Sequence, residues 1–171
     1  MIETTRLKLV PATVAHARAE LGDRAQFARL LGAEVPAGWP PESTADALPL
    51  FLEWLEAAPA SVGWFGWYAL SLAGGTAAPI LIGGGGFLGP PRDGQVQIGY
   101  SVLQQFQGSG FATELVSALV QWARRLQPAI LIVAETEWAN PASVRVLTKL
   151  GFVATGVSAE SGGARFELST G

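Results

Sequence analysis

The run Gln107-Gly108-Ser109-Gly110-Phe111-Ala112-Thr113 sets two glycines one residue apart where a helical period begins. The first amides of a helix have no intrahelical acceptor, and the helix dipole places about +0.5 charge there. Glycines at 108 and 110 remove the side chains that would hold an anion away, so several N–H groups can converge on phosphate oxygens. Ser109 and Thr113 add hydroxyl donors. Glycine is also the default residue of tight turns, so the pair alone identifies no ligand. Two phosphate motifs fail on the letters. A P-loop needs Lys-Ser/Thr after its last glycine, where Phe111-Ala112 stand. A dinucleotide fingerprint wants GxGxxG or GxGxxA early in an α/β chain, and here Thr113 holds the third small position.

Other chemistry is sparse. Cysteine is absent and His16 is the only histidine. Disulfides, thiolate metal sites, a cysteine nucleophile, clustered histidine ligation and a distant Ser-His-Asp triad are therefore poor readings, and no metal is expected. Glu135, Glu137, Asp93 and His16 are candidate proton acceptors, each equally at home as a solvated or structural group.

The elements that must position the glycine loop follow from periodicity. Arg6–Val10 alternates like a half-buried strand ended by Pro11. Thr13 caps a helix expected to run unbroken to Leu31, and the Pro/Gly segment 32–44 is a loop. Ser43 or Thr44 caps a second helix over 45–57, with Pro49 in its first turns. Runs 64–72, 79–88 and 95–103 read as strands whose short connections, AGGTAA and GPPRDG, favour antiparallel hairpins. Four glycines at 83–86 inside the middle run call for a bulge or a close backbone approach.

From 110 to 126 the period becomes helical, with Phe111, Leu115, Leu119, Trp122 and Leu126 on one stripe. Run 129–137 is a buried strand, Asn140-Pro141 opens a further helix that Gly151 ends, and 152–157 with 164–168 form a final hairpin. Strand 95–103, helix 110–126 and strand 129–136 make a βαβ unit, so those strands are parallel neighbours. The expected fold is α/β (α+β): a single domain over 1–171 with a mixed, mostly antiparallel sheet of six to seven strands and helices on both faces.

The chain has 171 residues, 49% of them apolar and 15% charged, enough for a real core and unlike a disordered segment. The net charge of −3 and the lack of a basic run argue against nucleic acid as a direct partner. No apolar run spans a membrane and the charged N-terminus lacks a signal peptide's apolar block, which points to a cytoplasmic protein without a membrane partner. Twenty-one glycines and six tryptophans are many for this length. Tight turns and buried or ligand-contacting rings are the expectation, and an exposed Trp-rich face would suit a homodimer as readily as a monomer.

Gln107-Gly108-Ser109-Gly110-Phe111-Ala112 resembles the Q/R-x-x-G-x-G/A signature of the GNAT superfamily of N-acetyltransferases, which bind acetyl-coenzyme A. QIGYSV (97–102) is similar to the strand before that loop, and NPASVRVLTKLGF (140–152) to the family's Asn-x-x-Ser helix. The opening ETTRLKLVP is similar to the first strand of the ribosomal-protein-alanine (Rim-type) N-acetyltransferase branch. The resemblance implies that the coenzyme A pyrophosphate lies on the amides of Gln107 to Ala112, with Thr113 just inside the helix. It further implies that the strands flanking that helix splay, that pantetheine pairs with backbone near Ser101 to Leu103, and that a backbone N–H at Val102 or Leu103 polarises the thioester carbonyl. A preorganised donor of that kind is worth about 3–4 kcal/mol. Asn140 would contact the cofactor while capping its helix, and Ser143 would assist the departing thiolate.

Two departures bear on the acceptor. Leu147 stands where many relatives carry an acidic tyrosine, and Gln97 where they often carry glutamate. A site without those groups suits an amine that is already partly neutral: an α-amine, at about 7.7–8.0, rather than a lysine at about 10.4. Trp39 and Trp138 are expected as walls of the acceptor pocket, with Trp64 and Trp67 in the pocket or the core, and Gln97 and Glu135 near it. The expected activity is acetyl transfer from acetyl-coenzyme A to a primary amine, on a peptide or a small molecule, by direct attack in a ternary complex. A non-catalytic acyl-coenzyme A sensor on the same fold is the alternative.

Overall fold

The computed structural model describes residues 1–72, 78–159 and 162–169. Most of the AGGTAA connection, and Glu160 and Ser161 of the last turn, fall outside them.

Eight strands form one sheet: β1 (Ile2–Glu3), β2 (Leu7–Pro11), β3 (Gly66–Ser71), β4 (Ile80–Phe87), β5 (Gln95–Val102), β6 (Leu131–Thr136), β7 (Val153–Val157) and β8 (Ala164–Leu168). Their order is β1-β2-β3-β4-β5-β6-β8-β7, antiparallel throughout except for the β5–β6 pair. The strand beyond the expected six to seven is the two-residue β1, too short to show a period.

Side-chain alternation along the strands sorts the core onto two faces. Leu7, Leu9, Trp67, Ala69, Ile82 and Ile98 pack with Leu115, Leu119 and Ala123 of helix α5 (Phe111–Leu126) and Leu147 of helix α6 (Pro141–Lys149). Tyr68, Leu70, Leu81 and Leu103 face the other way, toward α1 (Val14–Gly22), α2 (Arg24–Leu31) and α4 (Leu48–Ala57). Leu126, expected on the buried stripe, is instead 56% exposed as the last residue of α5.

Two helix boundaries differ from the sequence expectation. The helix after Thr13 breaks at Asp23, whose carboxylate accepts from the Gln26 amide at 2.9 Å and so caps a new helix at Arg24. Thr44 does not cap the second helix, and the side chain of Ser43 lies outside the described residues. The four-residue α3 (Glu42–Ala45) comes first, the Thr44 hydroxyl donates back to the Pro41 carbonyl at 3.0 Å, and α4 starts after Ala47.

The glycine run is explained by crowding of backbone. A Cβ at Gly86 would sit 1.9 Å from the Phe65 carbonyl oxygen, and one at Gly83 would sit 2.5 Å from that of Ser101. A register shift between Ala69 and Leu70 leaves Ile82 as the extra residue of a β-bulge in the same stretch.

Candidate active site

Strand β5 leaves its parallel partner halfway. The pairing with β6 runs from Gln95↔Leu131 to Ile98↔Ala134, after which β5 continues alone to Val102. The gap opens a cleft of about 580 Å³ between the end of β5, the start of α5 and the first turns of α6. Gln107, Gly108, Gly110, Phe111, Ala112 and Thr113 line it, with Asn140 and Ser143 opposite.

Gly108 and Gly110 have φ of +77° and +81°, a region that admits glycine and penalises side chains. Among the described residues, the amides of Gly108 to Thr113 reach no backbone carbonyl, and Glu114 is the first to do so, bonding Gly110 at 3.1 Å. Those amides are left without a backbone acceptor beside the cleft, as an anion site needs. Ser109 does not line the cleft. Its carbonyl accepts from Arg6 Nη1 at 2.9 Å, and Arg6 Nε donates to the Glu114 carboxylate at 2.7 Å. The same guanidinium lies 4.5 Å over the Phe111 ring, so the N-terminal strand region braces the loop from behind. Burial alone would raise the Glu114 carboxyl. Hydrogen bonds from Thr4 and Arg6, with the Arg6 charge, outweigh that and hold it below its usual value.

Register decides which amide can face the gap. Leu103 N–H donates to the Ile82 carbonyl at 2.9 Å and Leu88 N–H to the Gln97 carbonyl at 3.0 Å, so odd-numbered residues of β5 turn their polar groups toward β4. Val102 is of the opposite parity and faces the cleft, where its carbonyl accepts from Gln107 Nε2 at 2.8 Å. Of the two amides expected to polarise the thioester, that of Leu103 is thus already committed.

On α6, the Asn140 side chain accepts from the Ser143 amide at 3.1 Å and caps the helix. The Ser143 hydroxyl lies 2.8 Å from the Tyr100 hydroxyl, which burial pushes above its ordinary pKa, partly offset by that bond. Arg145 and Lys149, one helical turn apart, bring cations to the same cleft. Neither they nor Tyr100 were singled out from sequence; the i,i+4 spacing after Asn140-x-x-Ser143 is the signal that could have found the pair.

A second cavity, of about 190 Å³, lies on the opposite face beneath α1 and α4. Trp39, Leu48, Phe51, Leu55 and Phe65 form its walls, and Gly84, Gly86 and Gly99 its floor. It meets the cleft at Gly99, Tyr100 and Ser101, which line both. One carboxylate opens into it: Glu20 Oε1 accepts from Trp39 Nε1 at 2.7 Å and Oε2 from the Tyr68 hydroxyl at 2.6 Å. Burial raises the Glu20 carboxyl above its usual value despite those two bonds, and pushes the Tyr68 phenol well up, helped by the Glu20 charge.

Of the aromatic walls expected around an acceptor, Trp39 lines this cavity. Trp138 does not: it is 59% exposed, against Phe166 at 5.9 Å. Trp64 packs against Trp122 at 4.8 Å, and the Trp67 ring is also held by Trp122, with its N–H on the Gly63 carbonyl. Gln97 lines neither cavity, because its position on β5 precedes the splay. Glu135 lines the cleft instead of the second cavity, and its carboxylate is taken by the Ser158 hydroxyl at 2.6 Å. The Glu20–Trp39–Tyr68 cluster was missed because its three residues come from a helix, a loop and a strand with no shared spacing.

The family model for the acetyltransferase (GNAT) domain matches residues 6–153. The chain belongs to the GNAT acetyltransferases. The uncharacterized N-acetyltransferase YjdG of Bacillus subtilis (strain 168) is 29% identical over 161 residues, covering 94% of each chain. Two solved structures share the fold. A GnaT-family protein from Bordetella pertussis is 24% identical, with 99% of this chain and 98% of that one covered and a TM-score of 0.66. The protein yncA of Salmonella typhimurium, determined with its cofactor acetyl-CoA, is 22% identical, with 96% and 94% covered and a TM-score of 0.61. This GNAT protein is accordingly an acetyltransferase that uses acetyl-coenzyme A, on a mixed sheet with one splayed parallel pair. The cleft fits that donor: unpartnered glycine-loop amides and two cations for phosphates, and a free strand edge for the pantetheine arm.

Proposed function

We propose that the chain acts as one transferase domain that moves an acetyl group from acetyl-coenzyme A to a primary amine, with both substrates bound together. The observation that carries this reading is the meeting of the polar cleft and the apolar cavity at Gly99, Tyr100 and Ser101. An amine entering on one face of β5 reaches the strand edge that an acyl-pantetheine would pair with.

Acetyl-coenzyme A brings an activated thioester; the chain supplies position, dipoles and protons. Gln107 to Thr113 would hold the pyrophosphate, with Arg145 and Lys149 beside them and Asn140 ordering α6. The Val102 amide would donate toward negative charge developing on the carbonyl oxygen. Ser143 would hold a proton for the departing sulfur, Tyr100, 2.8 Å away, is placed to replace it, and the proton the amine loses as the amide bond forms would restore the pair. The amine is free-base at the moment of attack. A carboxylate such as Glu20 is a weak base against a lysine amine of about 10.4, so the acceptor is an α-amine or another amine of low pKa. The Rim-type resemblance of ETTRLKLVP agrees with a peptide α-amine.

Incubation with acetyl-coenzyme A and an amine library, with free thiol as readout, tests the proposal. Thiol release is expected to be faster with α-amines than with lysine side chains at equal concentration. Donor binding without thiol release across the library would make the protein a sensor and overturn the proposal. Preference for lysine would overturn the acceptor assignment.

A further inference from the structure

The acceptor cavity has a composition that selects among amines. Its walls are Leu48, Phe51, Leu55 and Phe65, with no lysine, arginine or histidine among the lining residues. At about 190 Å³ it is smaller than the roughly 300 Å³ at which cavities for drug-sized ligands begin. Its floor is cleared by glycine: a Cβ at Gly99 would meet nothing within 4 Å, so the missing side chain leaves open space against β5.

Glu20 is out of place in such a chamber unless something cationic joins it. An ionised carboxylate can accept about four hydrogen bonds, and Glu20 receives two, both from neutral donors, Trp39 and Tyr68. Among the described residues it forms no ion pair. Burying an unpaired carboxylate is costly, which agrees with its raised pKa. The two donors fix its rotamer and leave its remaining lone pairs for a ligand.

Resting on the acetyltransferase reading, we propose that this cavity takes a primary amine borne on a single apolar or aromatic group, with Glu20 as the residue that binds its ammonium. Such an acceptor matches one buried charge with one charge and the hydrophobic walls with a ring or branched chain. A polyamine or aminosugar would set further charges or hydroxyls against the apolar walls of Leu48, Phe51 and Phe65, which offer them no hydrogen-bond partner. Both an apolar first residue of a peptide and a free arylalkylamine carry this binding chemistry, and of the two only the peptide α-amine has the low pKa that the transfer step favours.

Calorimetric titration tests the assignment with 2-phenylethylamine, an N-terminal phenylalanine peptide, spermidine, kanamycin and the uncharged 2-phenylethanol as probes. 2-Phenylethylamine or the peptide should bind at least about tenfold more tightly than spermidine, kanamycin or 2-phenylethanol, the better of the two naming the source. Glu20→Gln should cost the amine at least about tenfold while keeping the thermal midpoint, because a glutamine amide can accept from Trp39 and donate to the Tyr68 oxygen. 2-Phenylethanol on the unaltered chain asks the same question without a variant. Equal affinity for amine and alcohol, or preference for spermidine, overturns the proposal. Thiol release with spermidine alone overturns it while sparing the transferase reading; tight binding of the N-terminal phenylalanine peptide without thiol release does the reverse.

Discussion

The two chambers that meet at Gly99 to Ser101 are built from different materials. The cleft relies on backbone: glycine-loop amides, a helix N-terminus and the edge of β5 that β6 leaves, with the Arg145 and Lys149 side chains beside them, within the contiguous segment from Gln95 to Lys149. The cavity proposed for the acceptor sets side chains brought from α1, the loop at Trp39, α4 and β3 over a glycine floor from β4 and β5. Backbone recognition tolerates drift in most side chains provided the glycines stay, so a donor site can persist across relatives below 30% identity. Side-chain recognition changes with one substitution, and in the proposal above Glu20 alone would set the acceptor.

That difference can be broken at its strongest point first. Gly110→Val forces a β-branched residue to φ near +81°, costing about 1–3 kcal/mol of backbone strain or flipping the loop. Acetyl-coenzyme A affinity should fall at least about 100-fold by calorimetry, with the fold kept by circular dichroism. Retained affinity would mean that the loop is an ordinary turn. The next effect is smaller and lands on the other chamber. Gly99→Leu has room for its Cβ, and its side chain would project into the space between the cavities. The acceptor KM should rise about 10- to 100-fold, with donor affinity changed by less than about threefold. An equal loss on both sides would show that the chambers are not separable.

The same contrast explains what could be read from sequence. The cleft was legible because its residues lie close in the chain and each carries a local signal: glycines before a helical period, a β-α-β order, Asn140-Pro141 at a helix start. The sheet was legible for the same reason, since hairpin connections and alternation are local. Asp23 was not, because a capping aspartate inside an otherwise continuous apolar pattern reads as one helix until its side chain folds back. Trp138 was misplaced because a position after a strand does not say which face the chain will turn to, and Glu135, within β6, because sequence alone does not show that its carboxylate meets Ser158. Leu103 was offered beside Val102 because only the register with β4 reveals which parity is spent. Glu20 left no trace: among Ala17, Ala19 and Arg18 it reads as a surface acid of an amphipathic helix.

The smallest effect separates the chambers by the sign of their pH response. Glu114 and Glu20 are both carboxylates that brace a chamber, yet their environments push them in opposite directions. The folded state depresses Glu114, so its contribution is present above the unfolded carboxylate pKa and is lost as pH falls through the lower folded value. Glu20 is raised, so its ionised form is a penalty, complete above its folded pKa and gone below the unfolded one. Because the Arg6 side chain is 40% exposed, the Glu114 pair is worth only about 0.2–1 kcal/mol. Glu114→Gln should therefore lower the thermal midpoint by at most about 4 °C at neutral pH, and the deficit should close on acidification below the usual carboxylate range. Glu20→Gln should show no deficit at neutral pH and lose any advantage as pH falls. Parallel shifts of the two variants with pH would mean that the donor loop and the acceptor wall are held by the same kind of charge, and the contrast between backbone and side-chain chambers would not extend to their electrostatics.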